Sequence, residues 1–230
     1  MEILENNIKE YYGNIAKTGS SCCAPDRCST KEDSVSSEVF SLGCGIGGAE
    51  DALSGETVLD IGSGTGYDVF RAAEKVGSDG FVYGVDMTEA MIDKASSNAN
   101  KMGIKNVSFK IGTAESLPIE NNSVDLAISN CVINLTFEKS VVFREIHRVL
   151  KPGGRIVIQD VVSLNELPDS VKNSSKLWNS CIGGAIPKET YIQMIKDAGF
   201  QQVEIAESVS LNIEDYKLLS VRIKAGKSDA

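Results

Sequence analysis

The chain has 230 residues, 42% apolar and 24% charged, with 23 Lys and Arg against 32 Asp and Glu, for a net charge of −9. That length suits one domain, or one domain with a short extension, and suffices to bury a real core. The acidic balance speaks against a nucleic-acid binder, which needs a basic face for phosphates. No apolar run is long enough to predict a membrane span, and the start, MEILENNIKE, lacks the apolar centre of a signal peptide. Six cysteines without such a leader point to the cytoplasm, where thiols stay reduced. A lone histidine, His147, argues against a histidine-based metal site.

Residues 2–16 carry Ile3, Ile8, Tyr11, Tyr12 and Ile15 at helical spacing, which predicts an amphipathic helix. Residues 17–37 are rich in Gly, Ser, Cys and Asp and read as an exposed arm. From residue 57 the pattern changes. TVLDIG (57–62), FVYGVD (81–86), VSFKIG (107–112), SVDLAIS (123–129) and GRIVIQDVV (154–162) read as strands, with helices predicted over 67–77, 88–102 and 138–150. The turn LKPGG precedes the fifth strand. After it the rhythm breaks over 163–187, then resumes with a helix at 188–199 and strands at 203–208 and 218–225. This alternation predicts an α/β fold: a doubly wound, mostly parallel, seven-stranded sheet of Rossmann-like type. The expected division is an N-terminal helix and Cys-rich arm over 1–56, covering the site, and a cofactor domain over 57–230 with the excursion at 163–187 near the site.

DIGSGTG (60–66) is a glycine-rich turn directly between a strand and a helix. Gly62, Gly64 and Gly66 permit positive φ and close approach of backbone to a ligand. Asp86 ends the next strand, 20 residues after Gly66, where a carboxylate can accept both hydroxyls of a ribose. The loop resembles motif I of the class I S-adenosylmethionine-dependent methyltransferases. VDMTEAMIDKA (85–95), GTAESLPIENNSVDLAIS (112–129) and VFREIHRVLKPGGRIVIQD (142–160) continue that resemblance in order. It implies a methyltransferase fold with S-adenosylmethionine as cofactor. Asp60 would hold its amino end, and Gly62, Ser63 and Gly64 its methionine part. Asp86 would bind the ribose, Met87, Ala114 and Glu115 the adenine, and Asn130 the methionine from the end of the fourth strand.

The acceptor is written in the cysteines. Cys44 lies in LGCGIG, Cys131 in SNCVINL directly after the fourth strand, and Cys181 in NSCIGGA within the excursion. In open α/β sheets ligands bind outside the carboxyl ends of the strands, and all three thiols can reach that edge. Three thiolates make a soft trigonal site suited to trivalent arsenic, whose lone pair stays available for a methyl group. Beside this stands ordinary packing of small apolar thiols in a methyltransferase acting on carbon or oxygen of a quinone, sterol or other small molecule. A protein that sequesters arsenic or another heavy metal by its thiols is the further alternative. His147, in REIHRVL, reads as a solvated helix residue rather than a base.

Nearly the whole chain resembles the arsenite methyltransferases, through YYGNIAKTGSSCC (11–23), LGCG, SNCVINL and SCIGGAIPKETYIQMIKDAGF. The resemblance implies that Cys44, Cys131 and Cys181 bind arsenic(III), delivered as arsenite or a thiol adduct. It implies a redox part for Cys22 or Cys23, pairing with Cys44 in a disulfide that thioredoxin or glutathione reduces. Many members carry a further C-terminal domain, and Cys28 has no assigned counterpart.

Overall fold

The computed structural model describes residues 2–18, 48–213 and 216–229. Its elements in chain order are α1 (Glu2–Thr18), β1 (Thr57–Ile61), α2 (Tyr67–Val76), β2 (Phe81–Asp86), α3 (Glu89–Met102), β3 (Val107–Ile111) and β4 (Val124–Asn130), then α4 (Lys139–Val149), β5 (Leu150–Ser163), α5 (Asp169–Lys172), α6 (Ser175–Asn179), α7 (Lys188–Asp197), β6 (Phe200–Ile213) and β7 (Tyr216–Lys227). Two single-turn 3₁₀ helices, Gly48–Asp51 and Ile133–Leu135, punctuate the loops.

Seven strands form one sheet in the order β3-β2-β1-β4-β5-β7-β6. The first five are parallel, and β7 enters antiparallel between β5 and β6. This is the expected doubly wound α/β sheet, with β1 and β4 as the neighbours between which the winding reverses. A crevice must open at that point, because the crossovers leave β1 and β4 in opposite directions.

The parallel strands are covered on both faces, which is why they read as near-continuous apolar runs. On one face Leu59, Ile61, Ala127, Ile156 and Ile158 pack with Phe143 and Ile146 of α4 and Tyr191 and Ile195 of α7. On the other, Val58, Val82, Leu126, Ile128 and Val157 pack with Val69, Phe70, Ala73 and Val76 of α2. Alternate residues of β1 thus serve opposite layers, as the period of two requires. Burying each such aliphatic side chain contributes about 1.5–3 kcal/mol.

The structure departs from the sequence reading in several places. β5 begins at Leu150, not 154: Val124 pairs with Leu150 and Leu126 with Arg155, so the Pro152–Gly153 turn bulges out of a continuous strand. β6 and β7 run well beyond 203–208 and 218–225. Their outer residues alternate polar with apolar, as is common in antiparallel strands, which weakens the apolar signal. The excursion folds into α5 and α6 around a small core of its own, with Leu167, Val171, Cys181, Ile182 and Ala185 packed on Cys131, Val161 and Leu218. In α1, Ile8 and Ile15 are buried as expected, whereas Ile3 is exposed. Ile15 and Ala16 pack on Met91 of α3. Among the described residues no helix is long and apolar enough to cross a membrane.

Candidate functional site

The glycine loop leaves β1 and is fastened to β2 by the amides of Gly62 and Ser63, which both donate to the Val85 carbonyl at 2.7 and 3.0 Å. Gly62, Gly64 and Gly66 all have positive φ, at 74°, 51° and 95°. Gly62 is required twice over: besides its φ, a Cβ there would lie 2.2 Å from Cγ2 of Val132. Gly66 caps α2 and does not line the crevice, unlike the rest of the loop. Asp86 ends β2 with Oδ2 accepting from the Gly64 amide at 3.0 Å and Oδ1 from the Thr88 amide at 2.9 Å. These two bonds hold the carboxylate still, beneath the loop that it would share with a ligand.

Asp60, Gly62, Ser63, Gly64, Asp86, Met87, Ala114, Glu115 and Asn130 line one crevice at the carboxyl end of the sheet. Cys131 and Cys181 line it too. So do residues that the sequence did not single out for this place: Asp68 and Thr88, Thr113, Phe137, and Glu5, Ile8 and Tyr12 of α1. Asp68 carries a legible signal in retrospect, as an acid in the first turn of the helix that the glycine loop opens.

Three carboxyls converge here. Burial, with Asp68 and Asp86 nearby, holds Asp60 well above the usual carboxylate range. Burial also raises Asp68, against a hydrogen bond from Asn130, and raises Asp86, against the amides of Thr88 and Gly64. Such a cluster is set to receive positive charge. Ser63 Oγ, Thr65 Oγ1, Asp68 Oδ1 and Asn130 Oδ1 are buried without hydrogen-bond partners. Each belongs to a residue lining the crevice. Orphaned buried polar atoms cost about 1–3 kcal/mol each, so their gathering in one crevice marks a place built for a polar ligand.

The cysteine end is assembled differently. Cys131 and Cys181 are both buried, at 5% and 6% exposure, and both hold a left-handed backbone with φ of 57° and 59°. That conformation is rare for a residue with a Cβ and turns each side chain off the path of its strand or helix. The Cys131 amide donates to the Gln159 carbonyl at 2.8 Å, and Cys181 Sγ donates to the Cys131 carbonyl at 3.3 Å. The 3₁₀ turn Ile133–Leu135 follows, and the Phe137 and Trp178 rings lie 4.5 Å apart beside it. Trp178 is fixed by its Nε1 donating to the Lys172 carbonyl at 2.6 Å. From α1, Tyr12 donates its hydroxyl to the Asn179 carbonyl at 3.4 Å, joining the helix to the excursion.

Behind these loops lies a buried polar group. Burial lifts Asp160 to about 6, against hydrogen bonds from Tyr191 and the amide of Val161. Burial brings Lys139 down to about 8, against the attraction of Asp160 and Glu115.

Cys22, Cys23, Cys28 and Cys44 lie outside the described residues. Among the described residues no cluster of three His, Cys, Asp or Glu side chains could hold a metal ion. His147 does not line the crevice. It sits in the last turn of α4, half-buried, with its ring edge-on to Phe200 at 5.2 Å. It is thus a helix-face residue, partly solvated and partly packed, and burial together with Lys227 lowers its pKa.

Residues 52–199 match the family described as "Methyltransferase domain". An arsenite methyltransferase of Halobacterium salinarum is 40% identical over 225 residues, covering 86% of this chain and 58% of that protein. The Homo sapiens arsenite methyltransferase is 31% identical over 236 residues, covering 94% and 63%. The crystal structure of an arsenic(III) S-adenosylmethionine methyltransferase from Chlamydomonas reinhardtii is similar with a TM-score of 0.73 at 34% identity, over 81% of this chain and 68% of that one. The chain spans less than two thirds of the length of either curated relative.

Proposed function

We propose, on the premise that the chain belongs to the arsenite methyltransferases within the methyltransferase-domain family, that it moves a methyl group from S-adenosylmethionine to trivalent arsenic held by cysteine thiolates. Cys131 and Cys181 stand 50 residues apart in sequence, yet share a wall of the crevice that the glycine loop and Asp86 also line. That juxtaposition carries the reading. The crevice's orphaned hydroxyl, carboxyl and amide oxygens, and its cluster of carboxyls, suit a polar cofactor with a cationic amino end and ribose hydroxyls.

On this reading Asp60 and Asp68 face the amino end of the cofactor, Gly62, Ser63 and Gly64 cradle its methionine part, and Asn130 approaches the same part from β4. Asp86 takes the ribose, with Met87, Ala114 and Glu115 around the adenine. S-adenosylmethionine bound there supplies an electrophilic methyl group on a positively charged sulfur. The thiolates of Cys131 and Cys181, with Cys44, hold arsenic(III) as a pyramidal tris-thiolate whose lone pair faces that methyl. The protein's contribution is orientation and exclusion of water, and no base is needed, because the nucleophile is a lone pair with no proton to lose.

Residues 1–56 act as the cover of this site and residues 57–230 as its frame, with the excursion 163–187 supplying Cys181. α1 already brings Glu5, Ile8 and Tyr12 to the crevice, in support of a covering role. Methylation by the lone pair leaves arsenic two electrons poorer. A dithiol that becomes a disulfide between Cys44 and Cys22 or Cys23 returns them, and thioredoxin or glutathione of a reducing cytoplasm resets the pair.

The test is to incubate the purified protein with S-adenosylmethionine, arsenite and excess thiol, and to read arsenic species by chromatography with elemental mass spectrometry. Methylated arsenic accumulating with time is the expected result. Protein that binds S-adenosylmethionine yet leaves arsenite unmethylated would overturn the reading in favour of a carbon or oxygen acceptor. Arsenite binding without S-adenosylmethionine binding would point to sequestration.

A further inference from the structure

One residue outside the crevice ties its two cysteines together. Asn134 lies in the 3₁₀ turn after Cys131 and is 0% exposed. Its side-chain Nδ2 donates to the carbonyl of Cys181. Its own carbonyl accepts from Lys139 Nζ at 3.2 Å, and Lys139 also donates to the Thr136 carbonyl at 2.7 Å. Its amide donates to the carboxylate of Asp160. Asp160 is in turn held by the Tyr191 hydroxyl at 2.9 Å and the Val161 amide at 2.9 Å. The backbone amide and carbonyl of Asn134 are therefore anchored to the core, and its side-chain amide reaches across to the excursion.

The excursion is shaped to receive that reach. A Cβ on Gly184 would lie 1.8 Å from the Asn134 carbonyl oxygen, so the two loops close to backbone contact. The return bond runs the other way, from Cys181 Sγ to the Cys131 carbonyl. Asn134 is also an expensive choice as filler. Its Oδ1 is buried with no partner, whereas a leucine of similar volume would strand no polar atom. What leucine cannot do is hold the carbonyl of a cysteine in a left-handed backbone.

We propose that Asn134 is a positioning residue that sets the spacing and direction of the Cys181 thiol against the Cys131 thiol, and so determines whether one arsenic atom can bond to both. The proposal rests on the reading of these two cysteines as the arsenic site. Two thiols grip one arsenic tightly only if the second sulfur stands where the first bond leaves it, since the second bond is then intramolecular. A shift of the Cys181 loop would leave each thiol able to bond alone and cancel the joint grip.

The test uses the full chain with Cys22, Cys23, Cys28 and Cys44 changed to serine, so that Cys131 and Cys181 are the thiols left. Phenylarsine oxide, which takes two thiols, and dimethylarsinous acid, which takes one, are titrated into this parent and into its Asn134→Asp variant. The expected result is a loss of about 10²-fold in phenylarsine oxide affinity, with dimethylarsinous acid and S-adenosylmethionine affinities each within about threefold of the parent. Unchanged phenylarsine oxide affinity, or a loss of both arsenicals together, would overturn the proposal. If Asn134→Asp does not fold, Asn134→Ser removes the same donor with a smaller side chain and is read by the same two criteria. A parent that binds neither arsenical sinks the thiol-site reading itself, and the proposal with it. A parent that binds both while the variant keeps the difference between them sinks the positioning role alone.

Discussion

The two ends of the crevice are built on different principles. The centre of the cofactor end is local: β1, the glycine loop and α2 are continuous, Asp86 accepts from the Gly64 amide of that loop, and the other lining residues stand at the ends of parallel strands whose register the sheet fixes. The cysteine end is a meeting of segments far apart in the chain, made by Asn134, Gly184 and the two cysteines. An end made of backbone and short motifs keeps its shape through many side-chain changes. An end made of side chains from two loops depends on each of them. Affinity for the cofactor should therefore be robust where acceptor chemistry is fragile.

The largest expected effect separates the ends outright. Cys131→Ser or Cys181→Ser should lower arsenite methylation by at least about 10³-fold, some 4 kcal/mol in the barrier, while S-adenosylmethionine affinity from calorimetry stays within about threefold. Equal losses of both would mean that the two ends are one unit. Gly62→Ala probes the seam, because its Cβ would press on Val132, next to Cys131, while its φ of 74° strains the loop. A stability loss of about 2–3 kcal/mol by urea denaturation is expected, with cofactor and arsenite binding both weakened. Weakening of one alone would move the seam elsewhere.

Lys139 sharpens the comparison through pH. Its folded pKa, about 8, lies below the ordinary 10.5, so between those values the unfolded chain holds more protons and stability rises with pH. Urea midpoints at pH 8 and pH 10 should show the unaltered protein gaining about 2 kcal/mol relative to Lys139→Met. Parallel curves would show that the lysine behind the cysteine end is not held in a dry site. The smallest effect belongs to Tyr12→Phe, which removes a 3.4 Å bond between α1 and the excursion. Its cost should stay below about 1 kcal/mol in stability and be confined to the KM for arsenite.

The same contrast explains what was legible in the sequence. TVLDIG, FVYGVD and the Gly66-to-Asp86 spacing displayed the sheet and the crevice that the glycine loop lines, because period and local turn chemistry are written in neighbouring residues. Cys131 and Cys181 could be placed at the edge of the sheet where they line the crevice, since Cys131 follows a strand directly and Cys181 lies in the excursion after the fifth strand. Asn134 could not be found that way. It looks like any turn residue, and its role exists only once residue 181 has arrived beside it. Asp160 and Tyr191 are equally silent, being an acid in an apolar strand and an aromatic in an amphipathic helix until they bond at 2.9 Å. β6 and β7 were cut short because their ends alternate polar with apolar residues (208–213 and 216–218), which dilutes the apolar run that marked the others.

The carboxyls of Asp60, Asp68 and Asp86 have a consequence for turnover. Crowded and buried, they hold protons more tightly than carboxyls in water do. A cation entering among them relieves that crowding, so its arrival and the departure of a proton are parts of one exchange. On the proposed reaction the molecule that enters carries a positive sulfur and the one that leaves carries a neutral sulfur. The amino group that Asp60 and Asp68 would face is positive in both, so these carboxyls hold the incoming and the outgoing molecule alike at that end, and the change of charge at sulfur must be felt elsewhere in the crevice.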